Sequence, residues 1–299
     1  RPDGSGRPQT GSATRSARSD RLPPMSDSIP RLRTTRRHPS AGNLDSRPAL
    51  VREGEPPAPL PPASFPHGAE QSGTGAVRLG PDLDDAALER LIGAAGPIEG
   101  RRVLDLGCGA GASSVALARR GARVVAVESS TARLSQARHA ADLAEVKVEF
   151  HHSDLADLAF LRADSVELAL AVYSLAGVQD LGSVFRQLHR VMRSGAALVM
   201  SLPHPTALML EADPDDQSPP YLTRTAWSDT PTAWLAGGDE GVTHLHQIGD
   251  VFTTLHRSNF RVDAIVEPRS LPERRSLHSS PLADWVPQTL VIRARKEGI

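Results

Sequence analysis

The stretch Val103-Leu104-Asp105-Leu106-Gly107-Cys108-Gly109-Ala110-Gly111 constrains this chain more than any other. A short apolar run ends in glycines at alternate positions, and residues 112–120 that follow have helical composition. Glycine allows a tight turn and a close approach of backbone to ligand. The helix behind the turn starts with backbone N–H groups that have no partner within the helix. A strand, a bare turn and a helix start, in that order, can receive a carboxylate or a phosphate. They also commit the chain to an architecture in which strands and helices alternate.

That alternation continues on both sides of the loop. Asp82–Ala94 reads as a helix with an acidic start and an apolar stripe of Leu83, Ala87, Leu88, Leu91 and Ile92, ended by Gly96-Pro97. Strands are expected at Arg102–Leu106, Arg123–Val127, Val146–His151, Val166–Val172 and Ala196–Ser201. Between them lie helices at Ala112–Arg120, Ser130–Leu143 (Ser130 capping its first turn) and Leu181–Met192, the last broken by Ser194-Gly195. The expectation is an α/β fold with a largely parallel sheet covered by helices. Asp250–Asn259 reads as a final helix, and Phe260–Glu267 with Gln288–Ala294 as a closing antiparallel pair. Residues 203–245 hold prolines, glycines, acids and aromatics without a clear period, and are expected to form a substrate-side insertion.

Residues 1–80 differ from the rest. Prolines crowd at Pro56, Pro57, Pro59, Pro61, Pro62 and Pro66, and arginines at Arg31, Arg33, Arg36 and Arg37. Such a segment buries too little apolar area to offset its ordering entropy, so a disordered extension is expected, with the folded domain over 81–299. The chain starts at Arg1, and Met25 is a candidate start. A single cysteine excludes an internal disulfide framework, and a formal net charge of -1 offers no global attraction to nucleic acid. No apolar run reaches eighteen residues, so no membrane span is expected and a cytoplasmic location follows.

Two acids give the glycine loop its chemistry. Glu128 ends the next strand, 21 residues beyond Gly107, where a carboxylate can accept hydrogen bonds from both ribose hydroxyls of a nucleoside. Gly107, Gly109 and Ala112 also satisfy the looser glycine pattern of dinucleotide sites, which leaves an NAD-dependent oxidoreductase open. Asp105 favours a different ligand. A sulfonium nucleoside carrying an ammonium group gains from a nearby carboxylate, whereas a pyrophosphate does not.

Taken together, these residues resemble the class I S-adenosylmethionine-dependent methyltransferases, in the branch that acts on small molecules. The resemblance spans roughly residues 81–296. It rests on Asp105 before the glycine turn, on Glu128, and on His151-His152-Ser153-Asp154-Leu155. It rests also on Asp164-Ser165-Val166-Glu167-Leu168, and on Leu188-His189-Arg190-Val191-Met192-Arg193-Ser194-Gly195-Ala196. It implies a Rossmann-like, seven-stranded, mostly parallel sheet with a reversed last strand and helices on both faces. It implies that S-adenosylmethionine is held by Asp105, Gly107, Cys108, Gly109, Gly111, Glu128, Ser129, Asp154, Leu155 and Val172, with Glu128 on the ribose, Asp154 at the adenine amino group and Leu155 beside its ring. The Asn/Asp-Pro-Pro-Tyr signature of amide and exocyclic nitrogen methylation is absent; Tyr173-Ser174-Leu175 stands there instead.

The implied reaction is methyl transfer to a small-molecule acceptor, without nucleic acid or membrane partners, and without a metal. A non-catalytic protein that binds the cofactor is the other alternative. His204, Tyr221, His244 and His246 are the candidate proton-handling and orienting groups, because histidine exchanges protons near neutral pH and tyrosine can orient a polar acceptor. Trp227 and Trp234 are candidates to wall the pocket. The residues leave open the acceptor, the atom methylated and the oligomeric state.

Overall fold

The computed structural model describes residues 77–81, 83–93, 97–212, 219–236, 239–275 and 280–298. The expected disorder of the N-terminal extension lies outside the described residues up to residue 76. Eleven strands and six α-helices follow one another in the described residues. The order begins α1 (Asp85–Gly93), β1 (Arg102–Leu106), α2 (Ala112–Arg119), β2 (Arg123–Glu128), α3 (Thr131–Leu143), β3 (Val148–His152) and β4 (Val166–Val172). It continues with α4 (Leu181–Val191), β5 (Met192–Pro203), α5 (Pro205–Met209), β6 (Leu210–Glu211), β7 (Tyr221–Leu222), β8 (Thr232–Ala236) and β9 (Asp239–Thr243), and ends with α6 (Ile248–Arg257), β10 (Phe260–Val266) and β11 (Thr289–Lys296).

Seven strands form one sheet in the order β3-β2-β1-β4-β5-β11-β10. Pairing is parallel from β3 to β5, and β11 runs antiparallel to both β5 and β10. The last strand is therefore reversed, as the family resemblance implies. The period-two pleat sends successive residues of β4 to opposite faces: Leu168 and Leu170 to one, Ala169 and Ala171 to the other. On the first face Ile92 of α1 and Ala116 and Leu117 of α2 cover the sheet. On the second, Val184, Phe185, Leu188 and Val191 of α4 pack with Val251 and Leu255 of α6. Each fully buried Val, Leu, Ile or Phe among them contributes roughly 1.5–3 kcal/mol.

Side-chain caps start three of the described helices, α3, α4 and α5. Ser130 Oγ accepts from Arg133 N, so Ser130 caps α3 as expected. Asp180 caps α4, its Oδ1 accepting from Gly182 N at 2.9 Å. Several boundaries differ from expectation. The first helix starts at Asp85, and Leu83 reaches the core from the segment before it, together with Val77 and Leu79. Ala87 and Leu88 lie in that helix, but their side chains are outside the described residues. Ser194-Gly195 does not end α4, which stops at Val191 because Met192 is already extended. Gly195, at φ 75°, instead sits in an irregularity of β5, where the register against β4 shifts between Val166 and Leu168. The described part of residues 203–245, read from the sequence as without a clear period, holds α5 and two antiparallel strand pairs, β6-β7 and β8-β9.

Among the described residues, no helix is long and apolar enough to cross a membrane, and no group of three or more His, Cys, Asp or Glu is placed to hold a metal ion.

Candidate functional site

Strand order reverses between β1 and β4, and ligands of open α/β sheets bind beyond the carboxyl ends of the strands at such a point. A cleft of about 560 Å³ lies there. That volume is in the range of small-molecule sites. Its floor is the turn between β1 and α2. Gly107 N and Cys108 N donate to Val127 O at 2.8 and 3.0 Å, tying the turn to the end of β2. Gly107 has φ 73°, and a Cβ there would stand 2.2 Å from Ser174 Cβ. Only glycine satisfies both the left-handed backbone and that contact.

Three carboxylates from successive strand ends line this one cleft: Asp105, Glu128 and Asp154. Asp105 is 1% exposed and accepts from Ser114 Oγ of α2 at 2.5 Å. Burial, opposed by the Ser114 hydroxyl and aided by the neighbouring negative Glu128, pushes its carboxyl from 3.8 up to about 6. Glu128 is also buried. Its Oε2 accepts from Gly109 N and its Oε1 from Ser130 N, each at 2.9 Å, so it joins the glycine turn to the start of α3. Asp154 is exposed and holds its own turn, accepting from Ala156 N at 2.7 Å. Burial, with Asp105 and Glu128 nearby, drives the Cys108 thiol far above its ordinary range and keeps it protonated.

Of the residues expected to hold the cofactor, Asp105, Gly107, Cys108, Gly109, Glu128, Ser129, Asp154, Leu155 and Val172 all line the cleft. Gly111 does not line it. It caps α2 at φ 87°, where a Cβ would stand 2.9 Å from Ala137 Cβ, so its smallness serves the packing of α2 on α3.

The four candidate proton-handling residues stand elsewhere, and none lines the cleft. His204 follows Pro203, a cleft residue, but its ring is committed: Nδ1 accepts from Thr206 N at 3.2 Å and Nε2 contacts Glu267 Oε1 at 2.8 Å. It caps α5 and ties it to the residue after β10. Tyr221 is 52% exposed on β7 and its hydroxyl donates to Glu211. His244 and His246 border a separate depression of about 270 Å³ beside Asp180 and Asp250. Burial lowers the pKa of His246. Trp227 is 85% exposed and does not line the cleft; the Trp234 side chain lies outside the described residues.

The opposite wall was not read residue by residue from the sequence. It consists of Tyr173, Ser174 and Ala176–Gln179 after β4, of Pro203, and of Glu240–Thr243 on β9. Tyr173 takes φ 57°, and its hydroxyl pairs with the Thr289 hydroxyl. Ser174 Oγ donates to Leu106 O at 2.5 Å. His244 N donates to Ala176 O at 2.8 Å, so β9 ends stitched to the turn at 174–177. The available signals were position, directly after a strand at the switch point, and Gly237-Gly238 between two short runs, a hairpin signature.

Residues 103–195 match a family model described as a methyltransferase domain. A ubiquinone biosynthesis O-methyltransferase of Hahella chejuensis is 38% identical over 104 residues, 35% of this chain and 44% of that protein. A cypemycin N-terminal methyltransferase of a Streptomyces species is 38% identical over 116 residues, covering 36% and 44% of the two chains. The chain thus spans less than half the length of these relatives. The structure of an S-adenosylmethionine dependent methyltransferase from Mesorhizobium loti is similar with a TM-score of 0.57 and 26% identity, over 71% of this chain and 98% of that one.

Proposed function

We propose that this chain, which carries a class I S-adenosylmethionine-dependent methyltransferase domain, moves a methyl group from that cofactor to a small-molecule acceptor. The observation that carries the reading is the convergence of Asp105, Glu128 and Asp154 on one cleft around the Gly107 turn. The cleft fits the cofactor on its own chemistry. A bare backbone turn allows close approach, and buried carboxylates sit where a ribose diol and a cationic amino-acid end would be recognised.

In this reading Glu128 accepts from the ribose hydroxyls with the lone pairs left over from Gly109 and Ser130. Asp105 supplies negative charge from beneath the loop, and Ser114 holds its orientation. Asp154 and Leu155 border the base, one polar and one apolar. S-adenosylmethionine, when bound, supplies a methyl carbon already activated by a sulfonium leaving group. What remains for the protein is to align acceptor and donor and to exclude water. The walls at 173–179, Pro203 and 240–243 are the surfaces available for that task. A pyrophosphate cofactor fits this cleft poorly, because its charge would face three carboxylates.

Calorimetric titration with S-adenosylhomocysteine and with NAD tests the proposal. Saturable binding of the sulfur nucleoside and none of NAD is expected. Tight NAD binding with no response to the sulfur nucleoside would overturn it.

A further inference from the structure

The cleft has an uneven charge. Its lining carries four carboxylates, Asp105, Glu128, Asp154 and Glu240, against one guanidinium, Arg133. Three of the acids and Arg133 belong to the side assigned above to the cofactor, for Arg133 lies in the first turn of α3, close after Ser129 and Ser130. Glu240 stands apart from them. It projects from β9, on the wall that includes Gly241, Val242, Thr243 and Pro203. Among the described residues, the acceptor-side wall therefore has one acidic side chain and no basic one.

Among the described residues lining the cleft, the groups that could take a proton are the carboxylates Asp105, Glu128, Asp154 and Glu240. None of the described lining residues is a histidine or a lysine. The Cys108 thiol stays protonated, and the Tyr173 hydroxyl is paired with Thr289. An alkylamine is an ammonium ion at neutral pH, which Glu240 complements in charge, and it must give up one proton before its lone pair can react.

We propose that the acceptor is a small-molecule amine and that Glu240 is the group that selects it. The inference rests on the methyltransferase reading and deepens it. In the transfer, the bound ammonium ion first gives one proton to water; the nitrogen lone pair then forms the N–C bond while the C–S bond breaks and leaves its electron pair on sulfur. Positive charge moves from sulfur to nitrogen, and the surplus proton leaves the nitrogen to water. A carboxylate beside the nitrogen stabilises the charge that develops there. For a phenolate or carboxylate acceptor the same step destroys charge, and Glu240 would repel the approaching anion.

The test uses the full chain, saturated with S-adenosylmethionine. Its probes are matched sets on benzyl, phenethyl, indolylethyl and hexyl scaffolds, each with an amine, a hydroxyl and a carboxylate member. Mass spectrometry reads methylated product, and a coupled assay reads S-adenosylhomocysteine formed. The amines are expected to react at least about 10-fold faster than their twins. E240Q should reduce that preference at least about fivefold, E240D should keep most of it, and S-adenosylhomocysteine affinity should stay within about twofold in both. The proposal is overturned if hydroxyl or carboxylate members react faster. It is equally overturned if a protein that binds S-adenosylhomocysteine methylates no amine, or if folded E240Q keeps the full preference. Failure of the wild-type chain to bind S-adenosylhomocysteine would sink the methyltransferase reading itself, a separate result.

Discussion

Replacing Asp105 with Asn should make the folded protein more stable and the cofactor site worse. The carboxyl is buried, and its folded-state pKa rises from 3.8 to about 6, with burial the leading cause. A carboxylate whose pKa is raised on folding contributes stability that is fully present below about pH 4 and is lost as pH rises through about 6. By pH 7.5 the difference corresponds to about 3 kcal/mol at most, the free energy of holding that charge inside the fold. Asn has nearly the same shape and can still accept from Ser114, so D105N should recover about 1–3 kcal/mol at pH 7.5 and little at pH 4.5. Urea titrations of both proteins at half-unit steps from pH 4.5 to 8 read the difference directly, because the acids with lowered pKa values act below this window and cancel between the two. Calorimetry should show the opposite sign for S-adenosylmethionine. D105N loses about tenfold in affinity with the missing charge, and wild-type affinity climbs between pH 5 and 7 while that of D105N stays flat. A stability difference that does not change across pH 4.5–8, or a D105N protein less stable than wild type at pH 7.5, would refute the reasoning.

Three further outcomes are expected. Glu128→Ala should weaken S-adenosylhomocysteine binding by about 1–3 kcal/mol, through lost charge-assisted hydrogen bonds and a loosened Gly109 turn; an unchanged calorimetric affinity in the folded variant contradicts the ribose assignment. Gly107→Ala should cost about 2–4 kcal/mol from the positive φ and the contact with Ser174, and adding Ser174→Gly should recover about half of that in the urea midpoint; no recovery would place the strain elsewhere. Asp263 accepts from Arg293 Nε at 2.6 Å and Arg295 Nε at 2.7 Å, across the β10-β11 pair. Although burial alone would raise its pKa, the two guanidinium groups hold it below the ordinary value, so its contribution is present above about pH 4 and fades on acidification. Asp263→Ala should destabilise the fold by about 2–3 kcal/mol without altering nucleoside affinity, as thermal unfolding and calorimetry will report.

Position along the chain explains why the expected proton-handling residues fell away. His204, Tyr221, His244 and His246 were chosen for their chemistry, but chemistry alone does not say where a side chain points. His204 spends both ring nitrogens on Thr206 and Glu267, and Tyr221 spends its hydroxyl on Glu211. The histidine pair sits past the end of β9, where the chain has already left the cleft to enter α6. Val242 and Thr243, a step earlier on the same strand, line the cleft although neither has a reactive group.

Local order was legible because it depends on near neighbours. Alternating apolar residues, capping at Ser130 and glycines at 107, 109 and 111 act within a few positions of themselves, so strands, helices and the loop between them could be read directly. Asp105, Glu128 and Asp154 were readable for the same reason: each lies at or just beyond the end of its own strand, and parallel pairing brings such ends side by side. The opposite wall is another matter. Tyr173, Pro203 and Glu240 are scattered over the chain, and they meet only because β4, β5 and the β8-β9 hairpin converge at one end of the sheet. Their proximity comes from long-range packing, which leaves no periodic trace in the residues themselves. Gly111 makes the same point in reverse, since its motif suggested ligand contact and its surroundings assign it to Ala137.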